Sequence, residues 1–152
     1  SLFSAATKVG GILSNKDYKF KEALEFYGKN LGLTFQIADD ILDYNSELKL
    51  FGKKIGNDFF EGKVTLPIIL LYQKLSEFDK IKIKSFFDKE ERKIDELDYV
   101  LDLIKKKNII RECYTKAEHF INLAYNSLSV FEESKEKEIL KNLTSFSIER
   151  NF

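Results

Sequence analysis

Residues 20–44 read FKEALEFYGKNLGLTFQIADDILDY, and this segment sets the architecture of the chain. Its apolar residues recur at intervals of three and four, which is the spacing of one face of an α-helix. The residues of this face are Ala23, Leu24, Phe26, Tyr27, Leu31, Phe35, Ala38, Ile41 and Leu42. Gly28 and Gly32 lie one turn apart, where they allow a neighbouring helix to approach closely at some loss of helix propensity. The segment therefore predicts one long helix with a close neighbour.

The rest of the chain also indicates helices. The whole chain of 152 residues contains one proline and seven glycines, which are few for a fold made of strands and tight turns. Helical patterns are predicted over residues 2–13, from Thr65 onward, and at about 77–88, 95–107, 109–131 and 134–149, with one long irregular stretch over residues 45–64. We therefore expect an all-α fold in a single unit that spans residues 1–152.

Composition excludes several classes of protein. Lys and Arg number 25 and Asp and Glu number 25, so a net charge of zero gives no long-range attraction to nucleic acid. Hydrophobic residues make up 43%, which excludes a disordered chain. The longest apolar run, Leu66 to Tyr72, is much shorter than the roughly 18–20 residues of a membrane helix. With Cys113 as the single cysteine, no internal disulfide can form, and we expect a cytoplasmic protein.

The candidate chemical site is FQIADDILD, residues 35–43. On a helix, Asp39 and Asp43 are one turn apart on a shared face, Asp40 adjoins Asp39, and Gln36 lies one turn earlier. Two carboxylates about 6 Å apart repel by roughly 3 kcal/mol at an effective dielectric constant of ~20, so in a cleft they need a compensating cation. Oxygen ligands suit Mg²⁺ better than zinc. On a solvated face the same cluster is only an acidic patch, and spacing alone leaves both interpretations open.

Cationic residues follow in the irregular stretch. The segments GKKIGND (52–58) and EGKVTLP (61–67) set Lys53, Lys54 and Lys63 among glycines. Flexible backbone with ammonium groups suits a diphosphate, and Mg²⁺ held by carboxylates often completes its shell with substrate phosphates. A solvated charged loop is the alternative. Because carboxylates alone repel a phosphate and lysines alone repel Mg²⁺, the combination is more specific than either part.

Other kinds of site find no support in the sequence. An EF-hand counted from Asp43 fails, because its sixth position is Leu48 and its twelfth is Lys54. No P-loop, zinc-ligand spacing or paired-glycine dinucleotide motif is present. His119 and Cys113 are isolated within a predicted helix, which favours structural or surface roles for both.

Several motifs agree in order and spacing with one known family. Residues 32–44, then Gly52-Lys53, Gly56-Asn57-Asp58 and residues 61–67, resemble the second aspartate-rich region of the trans-isoprenyl diphosphate synthases. The likeness is strongest to the long-chain polyprenyl (octaprenyl) synthases of quinone biosynthesis. Residues 2–13 resemble the segment after that family's Lys-Thr pair, and Ile148-Glu149-Arg150 resembles its C-terminal helix. The first aspartate-rich motif has no counterpart here. The resemblance thus implies the C-terminal portion of the family's helical bundle, with the N-terminal half lying before Ser1.

The resemblance implies a function for the whole enzyme. It implies a Mg²⁺-dependent prenyltransferase that condenses isopentenyl diphosphate with an allylic diphosphate to make a long-chain polyprenyl diphosphate. The full-length enzyme is expected to be a homodimer. Because one of the two aspartate motifs is missing, we expect this chain alone to be inactive.

The resemblance also assigns roles to individual residues. Asp39 is expected to bind Mg²⁺ directly, and Asp40 and Asp43 are expected to hold it directly or through water. Gln36 is expected beside the reacting carbon. The residues expected to bind the allylic diphosphate are Lys53, with adjacent Lys54 as its alternative, and Lys63, while Asp58 is expected to order the loop and its lysines.

Two alternative functions remain at this point. One is a non-catalytic helical subunit that docks on a partner supplying the first aspartate-rich motif. The other is a related diphosphate lyase of the terpene-cyclase type. The second is the weaker of the two, because residues 62–67, GKVTLP, resemble the chain-elongating enzymes more closely.

Overall fold

The structure, a computed structural model, describes residues 2–15, 17–45 and 55–149. These residues form helices joined by turns and short connections, and no strand occurs among them. In chain order the helices are α1 (Leu2–Leu13), α2 (Tyr18–Tyr44), α3 (Asn57–Phe60), α4 (Leu66–Gln73), α5 (Glu77–Phe87), α6 (Ile94–Lys106), α7 (Ile109–Ser127) and α8 (Lys135–Glu149). None of the helices in the described ranges has the length and apolarity needed to cross a membrane. The all-α prediction is confirmed.

The helix boundaries follow the sequence periodicity with two exceptions. The α-helix predicted to reach residue 131 ends at Ser127 and continues as a 3₁₀ turn over Leu128–Val130. The irregular stretch predicted over residues 45–64 is wrong at residues 57–60, which form α3. Four residues are too few to display a helical period, so this element left no sequence pattern of its own.

The chain divides into two compact units. Unit 1 comprises Ser1–Ala38 and Lys116–Phe152, and unit 2 comprises Asp39–Thr115. The division falls within α2 and within α7, so the backbone passes from one unit to the other inside a helix each time. The expectation of a single unit spanning residues 1–152 stays a prediction.

Unit 1 has a core centred on the buried ring of Tyr27, whose hydroxyl donates a hydrogen bond of 2.8 Å to the Leu140 carbonyl. Its buried apolar residues include Tyr27, Leu31, Ala124 and Leu128, with Phe3, Leu24, Phe131 and Leu140 packed against them. The close helix approach predicted at Gly28 is confirmed. A Cβ atom there would lie 2.2 Å from Thr7 Oγ1 and 2.5 Å from the Phe3 carbonyl oxygen, so only glycine allows α1 to pack here.

Unit 2 buries apolar side chains from each of its helices. The fully or nearly fully buried ones include Ile41, Phe59, Leu71, Ile83, Val100, Ile104 and Ile109. Phe59 is the anchor of the short helix α3, because its ring packs edge-on against Phe87 at 5.5 Å between centroids. Tertiary packing therefore stabilises α3, which is too short to be stable by itself.

Candidate functional site

The last two turns of α2 carry the three aspartates at the start of unit 2. The Asp39 side chain is exposed, Asp43 is half-buried, and Asp40 is buried with 6% of its surface exposed. One helical rise separates adjacent residues and one turn separates Asp39 from Asp43, so the three carboxylates occupy one end of the helix. Their surroundings nevertheless differ.

Asp43 caps the N-terminus of α3. Its Oδ1 accepts a hydrogen bond of 3.0 Å from the Asn57 backbone N–H, and its Oδ2 accepts one of 2.9 Å from the Asp58 N–H. The first N–H groups of a helix have no partner within the helix, and a carboxylate stabilises them. Burial raises the pKa of Asp43, and the hydrogen bond from the Asp58 backbone opposes this rise. Asp43 therefore fixes the position of α3 on the end of α2.

Asp40 has a similar contact with α4. The Leu66 N–H, at the first position of α4, donates a hydrogen bond of 3.2 Å to Asp40 Oδ2. The preceding residue, Thr65, makes no capping hydrogen bond with its own side chain, and Pro67 has no N–H to satisfy. The buried side chain of Asp40 thus supplies an acceptor for an N–H group that has no partner within its own helix.

Together the two aspartates hold both ends of the segment 57–66 on α2, and this segment carries Lys63. The Lys63 Nζ donates a 3.1 Å hydrogen bond to Asp58 Oδ1 and lies 2.6 Å from Glu61 Oε2. Its backbone N–H donates to the Asp58 carbonyl at 2.8 Å. Hydrogen bonds to Glu61 and Asp58 raise the pKa of the Lys63 ammonium group, so it stays charged. The expectation that Asp58 orders the loop agrees with these contacts.

The remaining candidates lie elsewhere. Gln36 is exposed on α2 and belongs to unit 1, one turn before Asp39 along the helix. Lys53 and its alternative Lys54 lie outside the described residues. Cys113 is fully buried and free, and burial raises the pKa of its thiol to about 12, which suits the structural role expected for it.

Sequence reasoning missed the capping roles of Asp40 and Asp43 and the contribution of Arg92. The Arg92 guanidinium donates to the carbonyl of Phe60, the last residue of α3, at 3.3 Å. Nothing in the local pattern around residue 92 indicates this contact, because its partner lies 32 residues earlier in the chain. The capping contacts span 14, 15 and 26 residues and are equally invisible to helical periodicity.

The carboxylates of Asp39, Asp40 and Asp43 offer the oxygen ligands that suit Mg²⁺. Mg²⁺ prefers oxygen ligands, keeps several waters, and is usually bound by one or two carboxylates plus substrate phosphates. Asp39 offers an exposed carboxylate, whereas both oxygens of Asp43 and one of Asp40 already accept backbone N–H groups. Across the described ranges no three His, Cys, Asp or Glu side chains are placed to hold a metal by themselves. The metal-ligand set of Asp39, Asp40 and Asp43 stays a prediction.

Comparison with known proteins gives consistent matches. The family model for polyprenyl synthetase matches residues 1–104. A chloroplastic solanesyl-diphosphate synthase 2 of Oryza sativa subsp. japonica is 31% identical over 99% of this chain and 36% of its own length. An octaprenyl diphosphate synthase of Haemophilus influenzae is 27% identical over 99% of this chain and 46% of its own length.

A solved structure agrees with these relatives. The polyprenyl synthase of Caulobacter crescentus CB15, complexed with calcium and isoprenyl diphosphate, has a TM-score of 0.87 and 31% sequence identity. The alignment covers 99% of this chain and 46% of that one. The chain therefore spans less than half the length of each of these three proteins. Because the family model covers more than half of the 152 residues, this chain belongs to the polyprenyl synthetase family.

Proposed function

We propose that this chain carries the second aspartate-rich site of a Mg²⁺-dependent polyprenyl diphosphate synthase. In the whole enzyme the C–O bond of an allylic diphosphate breaks, the allylic carbon bonds to the double bond of isopentenyl diphosphate, and a proton is lost. The chain by itself is expected to bind Mg²⁺ and a diphosphate group without completing this reaction.

The proposal rests on the environment of Asp39. Its carboxylate is exposed, whereas the nearby Asp40 and Asp43 already cap helices. Asp40 and Asp43 use oxygens to hold α4 and α3, whereas Asp39 faces solvent at the same helix end. Aspartate is a poor helix former and its charge is unfavourable near a helix C-terminus, so Asp39 lowers helix stability unless it has a compensating role. A metal bound by Asp39 provides that role.

Lys63 suits the diphosphate. Its two carboxylate partners, Asp58 and Glu61, form ion pairs in which the Lys63 side chain is 57% exposed. Exposed ion pairs are weak, so a diphosphate with higher charge can replace Glu61 at small cost. The hydrogen bond to Asp58 keeps the ammonium group on the segment that α2 holds.

When bound, the metal supplies Lewis-acid stabilisation of the charge that develops on the leaving diphosphate. Asp39 would hold it directly, and Asp40 and Asp43 would hold it through water, because both oxygens of Asp43 and one of Asp40 already accept backbone hydrogen bonds. Lys63 and Lys53 would neutralise the diphosphate, and Gln36 would orient the allylic end of the substrate.

Thermal unfolding tests this proposal. At ten times its dissociation constant, pyrophosphate with millimolar Mg²⁺ adds about 1.4 kcal/mol of stability, which raises Tm by about 3–6 °C. Asp39→Ala is expected to abolish this rise. Asp98→Ala, which removes an exposed carboxylate on α6, is the matched control and is expected to keep it. Equal protection of the Asp39→Ala variant and the parent would remove Asp39 from the site.

The exposed apolar side chains of α1 favour a second candidate function. In it, the chain is a helical subunit that docks on a partner carrying the first aspartate-rich motif. Four of the apolar side chains of α1 are between 51% and 83% exposed, namely Leu2, Val9, Ile12 and Leu13. Exposed apolar side chains that share one helix face are typical of a surface that a partner covers. Co-purification of a partner that carries the first motif would support this candidate, and a stable monomer in sedimentation velocity would count against it.

A further inference from the structure

Arg92 connects the C-terminal ends of two helices in unit 2. Its Nη1 donates a 3.3 Å hydrogen bond to the carbonyl of Phe60, the last residue of α3. Its Nη2 donates a 3.0 Å hydrogen bond to the carbonyl of Phe87, the last residue of α5. The final carbonyls of a helix have no partner within the helix and carry partial negative charge, so a guanidinium satisfies both ends at once.

The same guanidinium shapes the turn before Lys63. Gly62 has φ +75°, and a Cβ atom there would lie 2.5 Å from Arg92 Nη2 and 2.8 Å from its Cζ. The guanidinium of Arg92 therefore occupies the space that any larger residue at position 62 would need. The Gly62 N–H donates to the Phe59 carbonyl at 3.0 Å, which closes the turn over Arg92.

Placing Arg92 at this position also has an energetic cost. Its Nε is buried and has no hydrogen-bond partner within the part of the chain that the structure describes. A buried donor without a partner lowers stability and calls for an explanation. Lysine is not an equivalent replacement, because one ammonium group lacks the planar fork that reaches two carbonyls at once.

We propose that Arg92 is a positioning residue for Lys63: its guanidinium holds the turn at residues 60–62 so that the Lys63 ammonium group is presented to a diphosphate. This rests on the proposed role of Lys63 in binding diphosphate. Lys63 directly follows Gly62, and its own backbone N–H is bound within the same loop by the Asp58 carbonyl. The direction of the Lys63 side chain therefore depends on the turn that Arg92 supports.

A double-mutant cycle on the whole chain tests the coupling. Isothermal titration with pyrophosphate in the presence of Mg²⁺ compares the parent, Arg92→Lys, Lys63→Ala and the double variant. We expect Arg92→Lys to weaken binding about threefold or more when Lys63 is present and less than about twofold when residue 63 is alanine. Arg111→Lys, at an exposed arginine on α7, is the control and should bind as the parent does. Equal losses in both backgrounds, or none, would overturn the proposal.

A second measurement does not depend on ligand binding. Lys63 and Lys106 are both exposed and both ion-paired, Lys106 with Asp102 at 2.6 Å, so their rates of acetylation by acetic anhydride can be compared by mass spectrometry. Arg92→Lys is expected to change the Lys63-to-Lys106 labelling ratio about twofold or more, and an unchanged ratio would overturn the proposal. If the ratio changes but no protein in the series binds pyrophosphate, Arg92 positions Lys63 and the proposed function is wrong.

Discussion

At the scale of single residues, Asp39, Asp40 and Asp43 have the same side chain in three environments. The periodicity of residues 20–44 predicts that they lie at one end of a helix, and they do. It could not predict that Asp40 and Asp43 accept N–H groups from Leu66, Asn57 and Asp58, because these contacts depend on how the following loop folds back. The three aspartates therefore differ in role: Asp40 and Asp43 cap helices, and Asp39 is exposed. Their spacing in the sequence does not reveal this difference.

Replacing Asp43 by alanine is expected to destabilise the protein. The Asn57 and Asp58 N–H groups would lose their acceptor, and loss of an N-terminal cap costs about 0.5–2 kcal/mol. Urea unfolding followed by circular dichroism measures this change. Asp39→Ala is the control, because its exposed side chain should change the free energy of unfolding by less than about 0.5 kcal/mol. Equal unfolding midpoints for Asp43→Ala and the parent would show that the cap is not needed.

At the scale of elements, hydrophobic periodicity located α1, α2 and the helices from α4 onward within a few residues. It failed at α3, whose stability comes from the Asp43 cap and from Phe59 packed on Phe87 rather than from its own four residues. Hydrophobic periodicity detects helices whose side chains face the core every three or four residues. Periodicity does not detect a single helical turn, such as α3, that is stabilised by residues distant in the sequence.

Two glycines of unit 1 provide a matched test of the α1 packing. Gly28→Ala would place a Cβ 2.2 Å from Thr7 Oγ1, and such overpacking is expected to cost about 1–3 kcal/mol. Gly10→Ala has no atom within 4 Å of the new Cβ and lies inside α1, so it should stabilise the protein by about 0.5–1 kcal/mol. Opposite shifts of Tm confirm the helix approach at Gly28, and shifts of the same sign contradict it.

The N-terminus of α6 predicts a pH dependence of stability. The Glu96 carboxylate pairs with Lys89 and accepts a 3.0 Å hydrogen bond from the Lys93 N–H, and these contacts lower its pKa. Because the pKa of Glu96 in the folded protein is lower than in the unfolded chain, about 4.3, its charged form stabilises the fold above that pH. This contribution disappears as pH falls through the pKa of the folded state.

Glu96→Gln is therefore expected to lower Tm at pH 7 and to have a smaller effect at pH 3. Thermal unfolding at the two pH values measures the difference. Glu91→Gln, at an exposed glutamate before α6, is the control and should show little effect at either pH. A Tm difference between Glu96→Gln and the parent that stays constant from pH 7 to pH 3 would exclude the ion pair as its source.

At the scale of the whole molecule, the order of motifs over residues 32–67 carried the family assignment, and the match of the family model to residues 1–104 agrees with it. No single motif was sufficient, since acidic clusters and lysine-rich loops are each common on protein surfaces. The chain spans 36–46% of the length of the relatives compared above. That the reaction of the family needs elements beyond those in this sequence stays a prediction.

The purified chain is expected not to elongate an allylic diphosphate. Only one of the two proposed carboxylate clusters is present, so the charge on the leaving diphosphate would be neutralised incompletely. Incorporation of labelled isopentenyl diphosphate into extractable prenyl products measures this, with a full-length relative as positive control. Products formed by the 152-residue chain, and lost in its Asp39→Ala variant, would show that one cluster is sufficient.

The location of the bound metal most directly tests whether Asp39 and Lys63 form one site. Mn²⁺ in place of Mg²⁺, added with pyrophosphate to ¹⁵N-labelled chain, broadens the amide signals of residues close to the ion. We expect the amide signals of Asp39, Asp43 and Lys63 to lose intensity first, and we expect Asp39→Ala to abolish the loss at Lys63. Broadening centred on another acidic segment, or unchanged by Asp39→Ala, would contradict this expectation.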